Sequence, residues 1–149
     1  MTFSEITNYI VNRFKQDELV NTIALSDNGI TDTKKESIYP LVTIVFNQIE
    51  IDETEAVKKY DYTISVLQQR NQDRSVNPSK LLADINYIDN LNECDSICTN
   101  FINYVRRNEL NNINIETSVL EHLSGYGGAN LDGFRFDCTM IIPNTGYCG

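Results

Sequence analysis

The stretch DGFRFDCTMII, residues 132–142, alternates between apolar and polar side chains. A period of two is typical of a β-strand that buries one face and exposes the other. We therefore predict a strand whose apolar face is covered by another layer of the protein. The side chains assigned to that face are Phe134, Phe136, Cys138, Met140 and Ile142.

Two segments with helical spacing can supply the covering layer. Apolar residues recur at intervals of three and four along residues 3–15, which predicts an amphipathic helix there. Asn77 followed by Pro78 is a helix-start signal, and helical spacing continues over residues 81–107. Asparagines weaken the middle of this second segment, so we predict a break near Asn90.

The cysteines raise the question of a metal site or a disulfide. Cys94 and Cys98 stand four apart on the apolar side of the second predicted helix, whereas zinc knuckles place pairs of cysteines in turns. Cys138 and Cys148 do not repeat that spacing. Because a free cysteine behaves as a small apolar residue, we predict buried thiols and no metal site.

The remaining chain contains further strands and two polar loops. The acidic connector 51–56 joins two long strands, which predicts an antiparallel hairpin. Residues 26–37 form a long polar loop, and the glycine-rich stretch 124–133 is a hairpin turn. It does not match a phosphate-binding loop, because Asn130 stands where the pattern needs glycine. The predicted additional strands are residues 19–25, 39–51, 57–69 and 113–119.

These elements predict the fold class. The order is α-β-β-β-α-β-β, which indicates a single α+β domain over residues 1–149. We expect an antiparallel or mixed sheet of about four to five strands, with two helices packed mainly on one face. At 149 residues, the chain is long enough to build a core without disulfides.

Composition excludes several functional classes. A net charge of −9 argues against general nucleic-acid binding, because phosphate contacts need clustered basic residues. Arg106 and Arg107 are adjacent, but they close a predicted helix and complement its dipole. No apolar run has the length of a membrane span, and the N-terminus does not resemble a signal peptide. We therefore expect the protein to stay in the cytoplasm where it is made.

The sequence offers no catalytic or cofactor-binding residue. His122 is the single histidine, and no nucleophile, phosphate-loop or zinc-protease motif accompanies it. We expect a solvated side chain there and no enzymatic activity. Asp52, Glu53 and Glu55 could hold a hard cation, but a charged hairpin tip is the simpler interpretation. No metal ion or cofactor is therefore expected.

A resemblance to a protein family is carried by the element order and by four segments. They are YPLVTIVF at 39–46, YDYTISVL at 60–67, DSICTNFINYV at 95–105 and LDGFRFDCTMIIPN at 131–144. In this pattern the chain resembles the tail terminator, or tail completion, proteins of long-tailed bacteriophages and their neck-protein relatives. The resemblance covers nearly the whole chain.

The resemblance implies a structural role in the virion. Members of this family form a hexameric ring that docks on the last ring of the tail tube and stops its polymerisation. The other side of the ring meets the neck, or head-closure, protein, and DNA passes through the lumen without specific binding. The resemblance thus implies a virion protein of the tail and neck, assembled in the bacterial cytoplasm, without catalytic residues.

Two kinds of surface fit such a ring. An acidic lumen repels DNA phosphates, so the hairpin tip at Asp52, Glu53 and Glu55 is expected to face the lumen or to dock on the tube. A closed ring also needs heterologous contacts between different patches of neighbouring subunits. The candidate contact residues lie in the two polar loops and are Ile30, Thr31, Asp32, Tyr126 and Leu131.

Two alternatives remain open at the level of sequence. Within the phage class, a neck or head-completion ring protein would have the same ring and the same acidic lumen. Outside it, the chain would be a monomeric binding module of a bacterial host, or a small enzyme. Self-association separates these classes, because a ring protein forms closed hexamers or caps tubes and a module stays monomeric.

Overall fold

A computed structural model describes residues 2–25, 39–70, 87–107, 113–126 and 131–144. The predicted order is confirmed in outline, with one strand more after the second helix. The elements are α1 (Phe3–Lys15), β1 (Thr22–Leu25), β2 (Leu41–Asp52), β3 (Val57–Gln69), α2 (Tyr87–Arg107), β4 (Asn114–Thr117), β5 (Glu121–Tyr126) and β6 (Leu131–Pro143).

The strands form one mixed sheet with β3 and β6 at its centre. The strand order is β1-β2-β3-β6-β4, and β5 also pairs with β6. Only β1 and β2 are parallel among the described pairs. The sheet therefore has six strands, where we predicted four to five, because β4 and β5 each pair with a different part of β6.

Helix α1 matches the predicted bounds. Thr2 caps it in a capping box, in which the Glu5 backbone N–H donates to the Thr2 hydroxyl at 3.2 Å and the Thr2 N–H donates to the Glu5 carboxylate at 2.6 Å. This arrangement satisfies two N–H groups that the helix itself leaves without partners. It also holds the pKa of Glu5 below its ordinary value, because the carboxylate accepts the Thr2 N–H.

Helix α2 is continuous from Tyr87 to Arg107, so the predicted break near Asn90 is wrong. The Asn90 side chain is buried and donates to the backbone carbonyl of Gln69 at 3.1 Å. A polar residue that weakens an isolated helix is used here to tie the helix to the end of β3. The predicted helix start at Asn77 and Pro78 lies outside the described residues.

The main core lies between the two helices and one face of the sheet. The predicted apolar face of β6 is confirmed, and α1 and α2 cover it together with the matching faces of β2 and β3. The rings of Phe14 in α1 and Phe101 in α2 stack at 4.4 Å, which joins the helices above the sheet. In the same core, the hydroxyls of Thr7 and Tyr62 hydrogen-bond at 2.9 Å.

The described cysteines behave as the sequence predicts. Cys94, Cys98 and Cys138 are buried free thiols within the main core. Burial raises the pKa of Cys94 and of Cys138 to about 12, and it raises that of Cys98 further. These thiols therefore stay protonated and act as small apolar groups. Cys148 lies outside the described residues.

Several strand boundaries differ from the prediction. β1 begins at Thr22, three residues after the predicted start, because residues 17–20 form a turn in which the Val20 N–H donates to the Asp17 carbonyl at 3.2 Å. Residues 121–126, partly assigned to the glycine-rich turn, form β5. The predicted hairpin is confirmed by the pairing of β5 with β6, while residues 127–130 lie outside the described part.

Candidate interaction surface

The far half of the β2–β3 hairpin carries an apolar surface that the core does not cover. Phe3 of α1 packs its ring at 4.7 Å from that of Phe46, and both rings remain partly exposed, at 42% and 37%. Beyond them on β2, Ile49 is 45% exposed and Ile51 is 58% exposed. We call Phe3, Phe46, Ile49 and Ile51 the apolar strip.

A β-bulge produces this strip. Phe46 pairs with Tyr62 and Gln48 pairs with Asp61, so Asn47 is an extra residue on β2. The extra residue reverses the alternation of β2, which places Ile49 opposite Tyr60 on the helix side of the sheet. Without the bulge, both isoleucines would lie on the opposite, polar face.

The bulge leaves a signal in the sequence. Val42, Ile44 and Phe46 stand at even positions, whereas Ile49 and Ile51 stand at odd positions, with the two polar residues Asn47 and Gln48 between. Our sequence analysis assigned residues 39–51 to a single regular strand, so it missed the strip. A phase change within an otherwise regular strand is the sign by which such a bulge can be found.

The backbone edge beside the strip has no strand partner within the described residues. β1 pairs with β2 only over Leu41–Ile44, and no described strand pairs with this side of β2 from Val45 to Asp52, which we call its open edge. An open edge offers unpaired N–H and C=O groups to another strand. Here the open edge and the apolar strip belong to the same segment of chain.

The acidic hairpin tip lies at the end of that edge. The Asp52 carboxylate accepts the backbone N–H groups of Thr54 and Glu55 at 3.0 and 3.1 Å, so it shapes the turn. Glu53 and Glu55 are exposed. Of the predicted charged tip, these two side chains therefore face outward, while Asp52 is half-buried and structural.

The opposite edge of the sheet is formed by β4 and β5, which pair with different parts of β6. β4 is the last strand of the order, and its outer edge is open in the described part of the chain. Arg106, near the end of α2, donates to the Thr117 hydroxyl at 3.3 Å, and Arg107 is exposed beside it. The Arg106 guanidinium thus lies against the end of β4, whereas the tip of β2 is acidic.

The structure describes only two of the five residues that we predicted to contact a neighbouring subunit. Ile30, Thr31 and Asp32 lie outside the described residues. Tyr126 ends β5 and pairs with Leu131, the first residue of β6. The Leu131 side chain is fully buried in a small apolar cluster with Leu41 and others, so the prediction that it offers a contact to a neighbour is wrong. The polar, glycine-rich neighbours of Leu131 suggested a loop, but Leu131 belongs to a strand and its side chain points into the core.

His122 is exposed, as predicted, and belongs to a group of polar side chains at one end of β5. Its Nε2 atom lies 3.2 Å from the Tyr87 hydroxyl. The nearby Ser124 hydroxyl accepts instead from Arg70 at 2.9 Å, and Arg70 also forms a bidentate ion pair with the fully buried Asp132. Ser124 and His122 are thus held by different partners.

The sheet face opposite the helices is largely polar. Thr63 donates to Asp137 at 3.1 Å and accepts from Asn47 at 2.8 Å, which links three strands side by side. A shallow cavity of about 260 Å³ opens on this face. It is lined by Thr63, Ser118, Glu121, Arg135, Phe136 and Asp137.

The described residues contain neither a metal-binding cluster nor a membrane-spanning helix. No group of three or more histidine, cysteine, aspartate or glutamate side chains is placed to hold a metal ion. No described helix has the length and apolar character needed to cross a membrane. Comparison with known proteins likewise found no matching family model and no significantly similar curated protein.

Proposed function

We propose that this chain is a structural subunit of a bacteriophage tail, of the tail-terminator type, that closes into a hexameric ring. The ring caps the tail tube, ends its polymerisation and joins it to the neck or head-closure protein. The subunit performs no catalysis and needs no cofactor. The tail-terminator assignment rests on the sequence resemblance, and the assembly rests on the exposed surfaces of the subunit.

One observation carries the assembly. The apolar strip and the open edge of β2 coincide on one segment, where large apolar side chains are 37–58% exposed beside backbone groups that pair with no other described strand. Proteins that act alone protect such edges with charges, proline or a covering segment, because an open apolar edge attracts other strands. In a closed ring, each subunit covers the open edge of its neighbour, so no such edge is left to pair with other strands.

The charge distribution supports a channel for DNA. The chain carries a net charge of −9, and Glu53 and Glu55 project from the tip of a long hairpin. A lumen lined by such carboxylates repels phosphate and lets the duplex slide. If the hairpins point along the ring axis, the same tip contacts the tail tube.

Light scattering and electron microscopy test the ring. The purified protein is measured alone, after mixing with isolated tail tubes and after mixing with filled heads. The proposal expects six-fold rings, or tubes capped at one end. Capture by filled heads without tube binding would favour the neck ring protein instead. A monomer that binds neither tubes nor heads would contradict the proposal and favour the host binding module.

Charge reversal at the tip tests its role. The variant Glu53→Lys/Glu55→Lys changes the two outward carboxylates and spares the turn built by Asp52. We expect it to form rings and to lose tube capping or DNA passage. The matched control is Glu18→Lys/Asp89→Lys, which makes the same charge change at exposed sites outside the hairpin. Equal activity of the two variants would remove the tip from the function.

A further inference from the structure

Val119 is the most exposed large apolar side chain among the described residues, at 84%. It lies in the connection between β4 and β5. Thr117 of β4 pairs with Cys138 and Glu121 of β5 pairs with Arg135, so three residues stand between the two strands where β6 has two. One extra residue on the edge of a sheet is typical of a β-bulge.

The residues on both sides of Val119 are anchored. The Ser118 N–H donates to the Asp137 carbonyl at 3.0 Å, and the Asp137 N–H donates to the Ser118 hydroxyl at 2.8 Å. On the other side, Leu120 packs partly buried against the main core. Val119 is therefore an exposed, β-branched side chain on an ordered backbone, so it loses little conformational freedom when a partner covers it.

Val119 and the apolar strip lie at opposite edges of the same sheet. The strand order places β3 and β6 between β2 and the edge formed by β4 and β5. Three strand spacings separate the two edges, which is about 14 Å. A heterologous contact joins two different patches of one subunit to those of its neighbours, and patches on opposite sides allow both contacts at once.

Strand pairing does not join these edges. His122 of β5 is level with Phe134, Val66 and Val42, and Val42 pairs with Ile23 of β1. A neighbour whose β4 paired in line with the open edge of β2 would therefore bring its β5 onto β1. Side-chain packing on the apolar strip needs no such alignment, because the strip faces the helix side of the sheet.

The charges of the two edges are complementary. The open edge of β2 carries the exposed Glu50, and Lys59 is half-buried one strand further in. Arg106 is exposed beside β4. Of the carboxylates on that edge, Glu121 is ion-paired within its own subunit, and Glu116 lies on the face of β4 that points away from the helices. An acidic edge and an edge with an exposed arginine favour each other's approach.

We propose that Val119 of one copy of this chain packs onto the apolar strip of the next copy, against Ile49 and Ile51. Each subunit uses Val119 at one edge and the strip at the other, and the contact repeats until the ring closes. This inference rests on the proposed ring and names its interface. It accounts for both bulges, because one turns Ile49 and Ile51 toward the helix side and the other exposes Val119.

Two single variants and their mixture test the contact. Val119→Asp places a charge on the inserted side chain, and Ile51→Asp places one on the strip. Both side chains are more than half exposed, so the fold does not depend on them, and far-UV circular dichroism checks this. The control is Leu19→Asp, at a 41% exposed side chain in the turn after α1. Val119→Ser is a milder second variant with the same expected direction.

Light scattering measures the assembly of each variant. We expect Val119→Asp and Ile51→Asp to be monomeric alone, with self-association weakened at least about tenfold, and the control to form hexamers. In the mixture, the intact strip of the first variant meets Val119 of the second. One contact can therefore form, and we expect a dimer with one chain of each kind and nothing larger.

Each other result decides against the contact. Hexamers of either variant, or folded variants whose mixture stays monomeric, would overturn this interface and leave the ring standing. If the wild-type chain assembles only on tail tubes, the comparison is made by counting capped tubes in electron micrographs, and each variant alone should lose capping. A wild-type chain that is monomeric alone and leaves tubes uncapped would overturn both the ring and the contact.

Discussion

The substitution Gly133→Ala tests the register between β3 and β6, the two central strands of the sheet. Gly133 in β6 pairs with Leu67 of β3 and with Leu123 of β5. A Cβ atom at this position would lie 1.8 Å from the backbone oxygen of Val66 and 3.1 Å from the Leu67 Cα. Reaching an ordinary contact of 3.4 Å would require these atoms to separate by about 1.6 Å, the difference of the two distances.

That separation would pull β3 from β6 in the middle of the sheet. Backbone cannot move aside as a flexible side chain does, so we expect Gly133→Ala to lower the free energy of unfolding by more than about 3 kcal/mol. Urea unfolding followed by far-UV circular dichroism measures the loss. The control is Gly125→Ala, where φ is +62° and the added Cβ meets no described atom within 4 Å. There we expect about 1 kcal/mol, from the backbone conformation alone. A Gly133→Ala variant within about 1 kcal/mol of the wild type would refute the register.

Three further predictions concern stability and are measured by urea unfolding. Asp132→Asn leaves the Arg70 guanidinium without its buried carboxylate and should lower the free energy of unfolding by about 3 kcal/mol. The control Glu121→Gln breaks an exposed ion pair and should lower it by less than about 1 kcal/mol. Equal losses would contradict the burial of Asp132. Ala56→Gly relieves a φ of 53° and should raise the free energy of unfolding by about 0.5 kcal/mol, and a loss would contradict that geometry. The pKa of the Cys138 thiol is raised to about 12 from 9.0, so the folded state keeps a proton that the unfolded chain loses. Stability should therefore fall as the pH rises above about 9, and Cys138→Val should show a smaller fall.

Much of the fold could be predicted from local patterns. Alternation in β6 and helical spacing in α1 gave correct elements, because each buries one face against a single core and leaves the opposite face polar. The burial of the described cysteine side chains was correctly predicted from the same patterns. The apparent weakness of α2 at Asn90 misled the prediction, because its amide is satisfied by a β3 carbonyl that is distant in sequence.

The interaction surface was harder to predict than the fold. The sequence analysis predicted a regular strand over residues 39–51. The extra residue at Asn47, which turns Ile49 toward the helix side, shows in the sequence only as a change of phase. Leu131 was misassigned for the opposite reason, since glycine and asparagine neighbours suggested a loop while its own side chain is fully buried. In a strand, a shift of one residue moves a side chain from one face of the sheet to the other. Both errors concern residues whose face could not be assigned without the exact strand register.

The direct test of the proposed function is the mass and shape of the assembled protein. Light scattering of the purified chain, alone and with isolated tail tubes, is followed by electron microscopy of the same samples. The account predicts closed six-fold rings, or tubes of fixed length capped at one end. A chain that remains monomeric and leaves tube ends uncapped would contradict it.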